Sequence, residues 1–201
     1  MKILIFDGSL GGANGNTNAA LNVFKSSVAE RAELSTVRLS EALPTREILN
    51  HADAFVFASG TYWDSWGSPM QRFFEEATEL EGDPCFVGKP AALITTMHSV
   101  GGKEVLNGLH GVINTFGLFV PPFCAFTYSF ANHLALKSAG TGQDTGMAAD
   151  LWRPQDLEIL AENLLTAMTL TAKSRNSWRT WPVDSEETEA LWLDETVSKR
   201  D

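Results

Sequence analysis

Short apolar runs, each followed by a loop and then by a helical pattern, recur along most of this chain and constrain its fold more than any other feature. The first run, Lys2 to Phe6, is continuous rather than alternating, which is typical of a strand buried on both faces. Strands that alternate with helices predict a parallel sheet with right-handed crossovers and helices on both faces. The 201 residues, 44% of them hydrophobic, suffice for one sizeable core, so we expect a single α/β domain.

The pattern predicts five strands and five helices. The predicted strands are Lys2 to Phe6, Glu33 to Leu39, Ala54 to Ala58, Ala91 to Thr95 and Leu118 to Val120. The predicted helices are Asn16 to about Ala32, capped by Asn16, Thr17 or Asn18; a short one from Pro44 and Thr45 toward His51; Met70 to Ala77; Val105 to Phe116, ended by Gly117; and a long one that opens at Arg153 and Pro154 and includes Leu157 to Met168. Strand order cannot be read from these patterns.

The end of the chain differs from the alternating part. We expect residues 1–172 to form the domain and residues 173–201 to form an acidic tail. That tail carries Trp178, Trp181 and Trp192, so it is expected to dock on another surface. Residues 131–150 resemble a loop longer than packing requires, and such loops are often lids or binding loops.

Charge and cysteine content exclude several classes of protein. A net charge of -10 argues against a surface that binds nucleic-acid phosphates. The two cysteines, Cys85 and Cys124, are far apart, and the four histidines show no metal-ligand spacing, so neither a disulfide framework nor a metal site is predicted. No apolar run is long enough for a signal-peptide core or a membrane span. We therefore expect a cytoplasmic protein without a bound metal.

Three loops follow the first, third and fourth predicted strands, and in an open parallel sheet ligands bind beyond these carboxyl ends. The first loop, Gly8 to Thr17, combines glycines with hydroxyl and amide side chains at a helix start, where free N–H groups bind anions. By itself it fits a phosphate cradle and a flexible, well-capped turn equally well.

The second and third loops strengthen the interpretation of a binding site. Tyr62, Trp63 and Trp66 bring three aromatic rings to the end of one strand, which suits a stacking wall for a flat ligand or, alternatively, a plug at an oligomer interface. The loop from Thr95 to Gly102 again supplies hydroxyls and glycines before a helix. Three such loops on one edge of a sheet indicate a ligand site.

Three stretches of residues 1–122 are similar to the NAD(P)H-dependent FMN reductases and the related flavodoxin-like quinone reductases and iron-sulfur flavoproteins. Gly8-Ser9 followed by Gly15-Asn16-Thr17 resembles the phosphate loop of this family, Tyr62-Trp63, Ser65 and Met70 to Glu75 resemble its second loop and next helix, and Thr95-Thr96 with Gly101-Gly102 resembles its third loop. The resemblance implies a flavodoxin-like, five-stranded parallel sheet with helices on both faces.

The resemblance also implies noncovalently bound FMN, with NAD(P)H as the electron donor. The residues implied to bind FMN are Ser9, Gly15, Asn16 and Thr17 at the phosphate, Tyr62, Trp63, Asp64 and Ser65 beside the isoalloxazine or ribityl chain, and Thr96, Met97, His98, Gly101 and Gly102 on the other side of the ring. His98 and Tyr62 are candidate catalytic proton donors. The cysteine cluster of the iron-sulfur members is missing, so no such cluster is expected.

The function implied is an FMN-dependent oxidoreductase that passes electrons from NAD(P)H through FMN to a quinone, a flavin or a similar small acceptor. Two alternatives stay open. One is a flavodoxin-like electron carrier without NAD(P)H turnover, whose acidic surface suits a basic partner. The other is a non-enzymatic domain, because Leu10 and Gly11 stand where many members carry a basic residue.

The aromatic second loop and the tryptophan-bearing tail suggest a homodimer or homotetramer in which a neighbouring subunit completes the flavin site. This expectation rests on composition and on the resemblance. The expected partners are therefore a second copy of the chain and a small electron acceptor, with no nucleic acid and no membrane span.

Overall fold

Five parallel strands form one sheet in a computed structural model that describes residues 1–129, 131, 134, 153–174 and 177–180. The strands are β1 (Lys2–Asp7), β2 (Glu33–Arg38), β3 (Ala54–Gly60), β4 (Ala91–Met97) and β5 (Ala125–Ser129). Their order is β2-β1-β3-β4-β5, and every neighbouring pair is parallel. The predicted α/β, flavodoxin-like sheet is confirmed.

Helices connect these strands and cover both faces of the sheet. They are α1 (Asn16–Val28), α2 (Arg46–His51), α3 (Ser68–Glu76), α4 (Gly102–Thr115) and α5 (Asp156–Thr171), with short 3-10 turns at Gly12–Asn14 and Thr78–Leu80. Two predicted boundaries are confirmed: the Thr45 hydroxyl caps α2 by accepting from the Ile48 N–H at 3.4 Å, and the chain leaves α4 at Gly117, whose φ is +91°. None of the helices in the described ranges has the length and apolar character that a membrane span requires.

The strand order determines where a ligand can bind. The order reverses between β1 and β3, which is the switch point at which open α/β sheets bind their ligands. The register pairs Asp7 with Ala58 and Gly60 with Thr96, so β1, β3 and β4 end at one edge. We call this edge, with the loops that follow those three strands, the carboxyl edge.

The core has one layer on each face of the sheet, because successive side chains of a buried strand point to opposite faces. Phe6 packs on one face against Phe57 and Phe73, with ring centroids 4.9 and 4.7 Å apart. Cys85 belongs to this layer and Cys124 to the other. Burial raises the pKa of both thiols to about 12, so neither is an activated thiolate at neutral pH.

The predicted fifth strand, Leu118 to Val120, was wrong. Phe119 makes one isolated parallel bridge with Pro90, and the chain then turns through Pro121 and Pro122 before β5 begins. Neither proline has an N–H group to donate to β4, so the ladder between β4 and the edge strand β5 forms only beyond them.

The predicted side-chain cap of α1 was also wrong. Gly15 is the N-cap residue and makes no side-chain cap bond, while the Asn18 side chain donates to the Ala13 carbonyl at 2.7 Å. The helix ends at Val28 rather than near Ala32. The predicted loop at 131–150 lies almost entirely outside the described residues, as do Trp181 and Trp192 of the tail. The division at residue 172 stays a prediction.

Candidate active site

The three loops of the carboxyl edge are joined directly to one another. The Leu10 N–H of the first loop donates to the Tyr62 hydroxyl of the second at 2.9 Å. The Thr61 N–H donates to the Thr96 carbonyl at 2.8 Å, and the Thr17 and Thr96 hydroxyls are 2.7 Å apart. Residues far apart in sequence therefore form one hydrogen-bonded unit at the switch point.

Each of these loops leads into a helix whose N-cap residue is a glycine. The glycines are Gly15 before α1, Gly67 before α3 and Gly101 before α4, and within the described chain none of the three helix starts has a side-chain cap. The first N–H groups of a helix have no intrahelical acceptor, and they carry its partial positive charge. Of the other two helices, α2 has a side-chain cap from Thr45, and α5, whose N-cap is Gln155, has none. What the three helix starts at the carboxyl edge share is a glycine N-cap.

The first loop passes very close to the start of α3. A Cβ added to Gly67 would lie 2.5 Å from the Gly8 carbonyl oxygen, so only glycine permits this approach. Gly12 has a φ of +60°, and a Cβ added to it would have no neighbouring atom of the protein within 4 Å. The surface above the loop is thus open, and its backbone is accessible to a ligand.

The second loop closes as a tight turn with unusual residues. Tyr62 and Ser65 exchange backbone hydrogen bonds of 2.8 and 3.1 Å around Trp63 and Asp64, whose φ values are +52° and +59°. Two central residues with positive φ define a type I′ turn, for which Asn-Gly is the preferred pair. The Trp63 side chain is 100% exposed, so the strained residue also presents an uncovered aromatic ring at the site.

Trp66 is not part of the predicted aromatic wall. Its ring packs edge-on against Phe74 with centroids 5.7 Å apart, and its indole N–H donates to the Gln71 side chain at 2.9 Å. Trp66 therefore belongs to the packing of α3, which leaves Tyr62 and Trp63 as the aromatic residues of this loop at the carboxyl edge.

The third loop is fitted closely around its two glycines. Gly101 has a φ of +88°, and a Cβ there would clash with the Asp64 carboxylate of the second loop. A Cβ at Gly102 would clash with the Thr127 hydroxyl, which is buried and has no hydrogen-bond partner among the described residues. The Gly102 N–H donates to the Met97 sulfur at 3.2 Å, so Met97 helps to fix the start of α4.

The residues predicted from sequence fall into three groups at this edge according to their burial. Buried ones are engaged in the scaffold: Ser9, Thr17, Thr96 and Gly102. Exposed ones are available at the surface: Asn16, Trp63, Asp64, Ser65 and His98. The remaining four, Gly15, Tyr62, Met97 and Gly101, are half-buried. The structure thus brings all three predicted loops together, with the exposed members around the uncapped helix starts.

Two residues near the first loop were missed by the sequence interpretation. Asp7, 1% exposed, accepts hydrogen bonds from the Ser9 N–H at 3.0 Å and the Ser9 hydroxyl at 2.6 Å. Arg38 of β2 places its Nε 3.6 Å from the other Asp7 carboxylate oxygen. The sequence did contain an indication of Asp7, because an acidic residue at the end of a strand buried on both faces requires a hydrogen-bond or ion-pair partner.

The arrangement fits the phosphate and ring of a flavin nucleotide. The open backbone at Gly12 and the uncapped start of α1 fit a phosphate, whose oxygens would supply the acceptor that an N-cap side chain otherwise provides. The exposed Trp63 ring and the open start of α4 match a flat ligand with polar edges. In the part of the chain that the structure describes, no three His, Cys, Asp or Glu side chains form a metal-ligand group.

A separate cavity of about 210 Å³ lies at the opposite edge of the sheet. It is lined by residues before β4 and after α4, including Gly88 and Phe119, and by Trp178 and Arg179 of the tail. None of the residues predicted for the flavin site lines it. The tail segment thus lies at the end of the sheet away from the three loops.

Solved structures show the same fold in distant proteins. A crystal structure of RosB with the bound intermediate 8-demethyl-8-formylriboflavin-5'-phosphate shares 16% identity with a TM-score of 0.67, covering 95% of this chain and 94% of that one. A flavodoxin from the domain Archaea shares 18% identity with a TM-score of 0.58, covering 84% and 99%. An oxidoreductase from Corynebacterium diphtheriae shares 16% identity with a TM-score of 0.61, covering 84% and 97%.

The sequence itself matches one family model, described as NADPH-dependent FMN reductase, over residues 1–133. No curated protein matches the sequence. The matched region includes β1 to β5 and all three loops of the carboxyl edge. With well over half of its length matched and the loops arranged as described, the chain belongs to the NADPH-dependent FMN reductase family.

Proposed function

We propose that the chain is an FMN-dependent oxidoreductase that passes electrons from NAD(P)H through FMN to a quinone, a flavin or a similar small acceptor. The observation that carries the proposal is the convergence of three mutually hydrogen-bonded loops on uncapped helix starts at the switch point. Membership of the family and the riboflavin phosphate derivative named for the RosB structure support a flavin ligand. Bound FMN supplies the redox chemistry, and the protein supplies binding and orientation.

The chain's own residues have distinct roles in this proposal. The N–H groups at the start of α1, including those of Asn16 and Thr17, and the exposed Asn16 side chain bind the phosphate without any basic side chain. Trp63 and Tyr62 contact the ring system from the second loop. The start of α4, with its partial positive charge and the loop from Thr96 to Gly102, faces the polar edge of the ring.

Flavin content and turnover test the proposal together. We expect the purified protein to bind FMN, seen as visible flavin absorbance or as quenching of added FMN fluorescence. We also expect FMN-dependent oxidation of NADH or NADPH in the presence of a soluble quinone. A colourless protein that fails to bind added FMN would contradict the proposal.

Tyr62 is the better placed of the two proposed proton donors. Its hydroxyl oxygen accepts from the Leu10 N–H at 2.9 Å, so the Tyr62 proton stays available for another acceptor. His98 is exposed at the end of β4, and its carbonyl accepts from the Ala131 N–H at 2.8 Å. Both side chains stand at the carboxyl edge, where an acceptor would bind.

Comparing a quinone with ferricyanide as the electron acceptor distinguishes a role of Tyr62 in proton donation from a role in ligand binding. We expect Tyr62→Phe to slow NAD(P)H-driven quinone reduction by about 100-fold, the lower end for a general acid, while reduction of ferricyanide, which takes up no proton, is unchanged. His98→Gln is the parallel variant for the second candidate. Equal losses with both acceptors would assign Tyr62 to binding and not to proton transfer.

The net charge of -10 favours one alternative, an electron carrier that docks on a basic partner. Stopped-flow measurements of the FMN-loaded protein mixed with NADPH or NADH distinguish the two functions. Fast bleaching of the flavin absorbance supports the oxidoreductase. A protein that is reduced only by another redox protein, and not by either nicotinamide, is a carrier.

A further inference from the structure

Asp7 places a buried negative charge directly behind the loop that is proposed to bind the flavin phosphate. It is the last residue of β1 and is 1% exposed. One of its carboxylate oxygens accepts both the backbone N–H and the hydroxyl hydrogen of Ser9, at 3.0 and 2.6 Å. The single hydroxyl hydrogen of Ser9 is therefore committed to Asp7 and is not directed at a ligand.

The positive charge beside Asp7 is shared with a second carboxylate. Arg38 places its Nε 3.6 Å from Asp7, and the same guanidinium places Nη1 3.3 Å from the exposed Glu41 carboxylate. One arginine thus faces two acids, and Gly8 to Thr17 contains no lysine or arginine. These three side chains carry a net charge of −1, and the Asp7 part of that charge is poorly screened by solvent because it is buried.

We propose that Asp7 is a specificity-determining residue that weakens binding of the phosphate group, so that the site accepts flavins with or without phosphate. The inference rests on the proposed function. The carboxylate repels a phosphate dianion through space and holds the Ser9 hydroxyl away from it. The isoalloxazine contacts, which FMN and riboflavin share, then supply most of the affinity.

The test compares two flavins that differ only in the phosphate. FMN and riboflavin are titrated into the wild type and into Asp7→Asn, with quenching of flavin fluorescence as the readout. The asparagine keeps an oxygen acceptor for the Ser9 N–H but removes the charge. We expect the wild type to bind FMN less than about tenfold more tightly than riboflavin, and Asp7→Asn to tighten FMN alone by about tenfold, the order expected for one unit of charge at intermediate dielectric.

Two further variants keep the test decisive. Glu33→Gln removes one negative charge at the other end of the neighbouring strand β2 and is expected to change neither dissociation constant. Ser9→Ala tests the same inference if Asp7→Asn folds poorly: because the hydroxyl is committed to Asp7, the ratio of FMN to riboflavin affinity should stay within about twofold of the wild type.

The failures of the two proposals are distinguishable. If Asp7→Asn changes both flavins equally, or weakens FMN, Asp7 has only a structural role and the inference is wrong. A large selective loss of FMN binding in Ser9→Ala also overturns it, because Ser9 would then be a phosphate donor. If the wild type binds neither FMN nor riboflavin, the proposed function is wrong, and the inference that rests on it is wrong as well.

Discussion

Gly67→Ala is expected to weaken FMN binding by at least about 100-fold. It is also expected to lower the free energy of unfolding by about 2 kcal/mol, within the range measured when an extra methyl group is inserted into a tightly packed region. The added methyl group would lie 2.5 Å from the Gly8 carbonyl oxygen, and neither atom belongs to a flexible side chain. The backbone angles of Gly67, φ −69° and ψ 148°, suit alanine, so the effect is steric alone. The start of α3 has to move away from the first loop, which separates two of the three parts of the site.

Gly111→Ala is the matched control, because it makes the same chemical change where there is room. Gly111 is exposed in α4 and has no atom within 4 Å of an added Cβ. Replacing a helical glycine is expected to stabilise the protein by about 0.5–1 kcal/mol and to leave FMN binding unchanged. Urea denaturation and FMN titration measure both effects. If Gly67→Ala behaves like Gly111→Ala, the close contact between the loops does not shape the site.

The alternation of strands and helices was predictable because strands buried on both faces leave uninterrupted apolar runs. Ile3 to Phe6 and Ala54 to Ala58 show this clearly. The first run is followed by Asp7 and then Gly8-Ser9, and the second by Ser59-Gly60. Topology then places the loop residues at one edge without any further information. The location of the candidate site therefore followed from sequence order alone, while its internal contacts did not.

The fifth strand shows where local pattern fails. Leu118 to Val120 and Ala125 to Ser129 are both short, largely apolar segments on either side of two prolines. Only the second lies beside β4 over its length, with Leu93 opposite Ala125 and Met97 opposite Ser129. Whether the segment before or after the two prolines pairs with β4 depends on where the end of the preceding helix lies relative to the sheet. That position is set by tertiary packing and cannot be read from the local sequence.

Side-chain direction was the second property that the sequence did not reveal. Trp63 and Trp66 are three residues apart in one loop, yet one is fully exposed and the other packs on Phe74. The difference arises from the type I′ turn, which here contains neither glycine nor asparagine and so has no sequence signature. The bond between Thr17 and Thr96 connects residues 79 positions apart and could be found only from the fold.

Trp63→Ala is expected to weaken FMN binding by about 10- to 100-fold without lowering stability, as stacking of a base on an aromatic side chain contributes about 1–3 kcal/mol. The ring is 100% exposed, so its removal opens no cavity. A left-handed conformation costs a non-glycine residue about 1–2 kcal/mol, and no packing of the Trp63 ring in the described fold offsets that cost. Such strain at an uncovered aromatic residue is what a ligand contact would explain.

Phe123→Ala is the matched control, because Phe123 shares with Trp63 an exposed aromatic ring and a positive φ but lies elsewhere in the fold. Phe123 is also aromatic, has a φ of +58° and is 81% exposed, but it lies in the turn before β5, at the opposite edge of the sheet. FMN titration should show a loss for Trp63→Ala, no change for Phe123→Ala, and affinity within a few-fold of the wild type for Trp63→Phe, which restores a ring. Equal behaviour of the two alanine variants would mean that exposure and strain alone, and not flavin binding, account for Trp63.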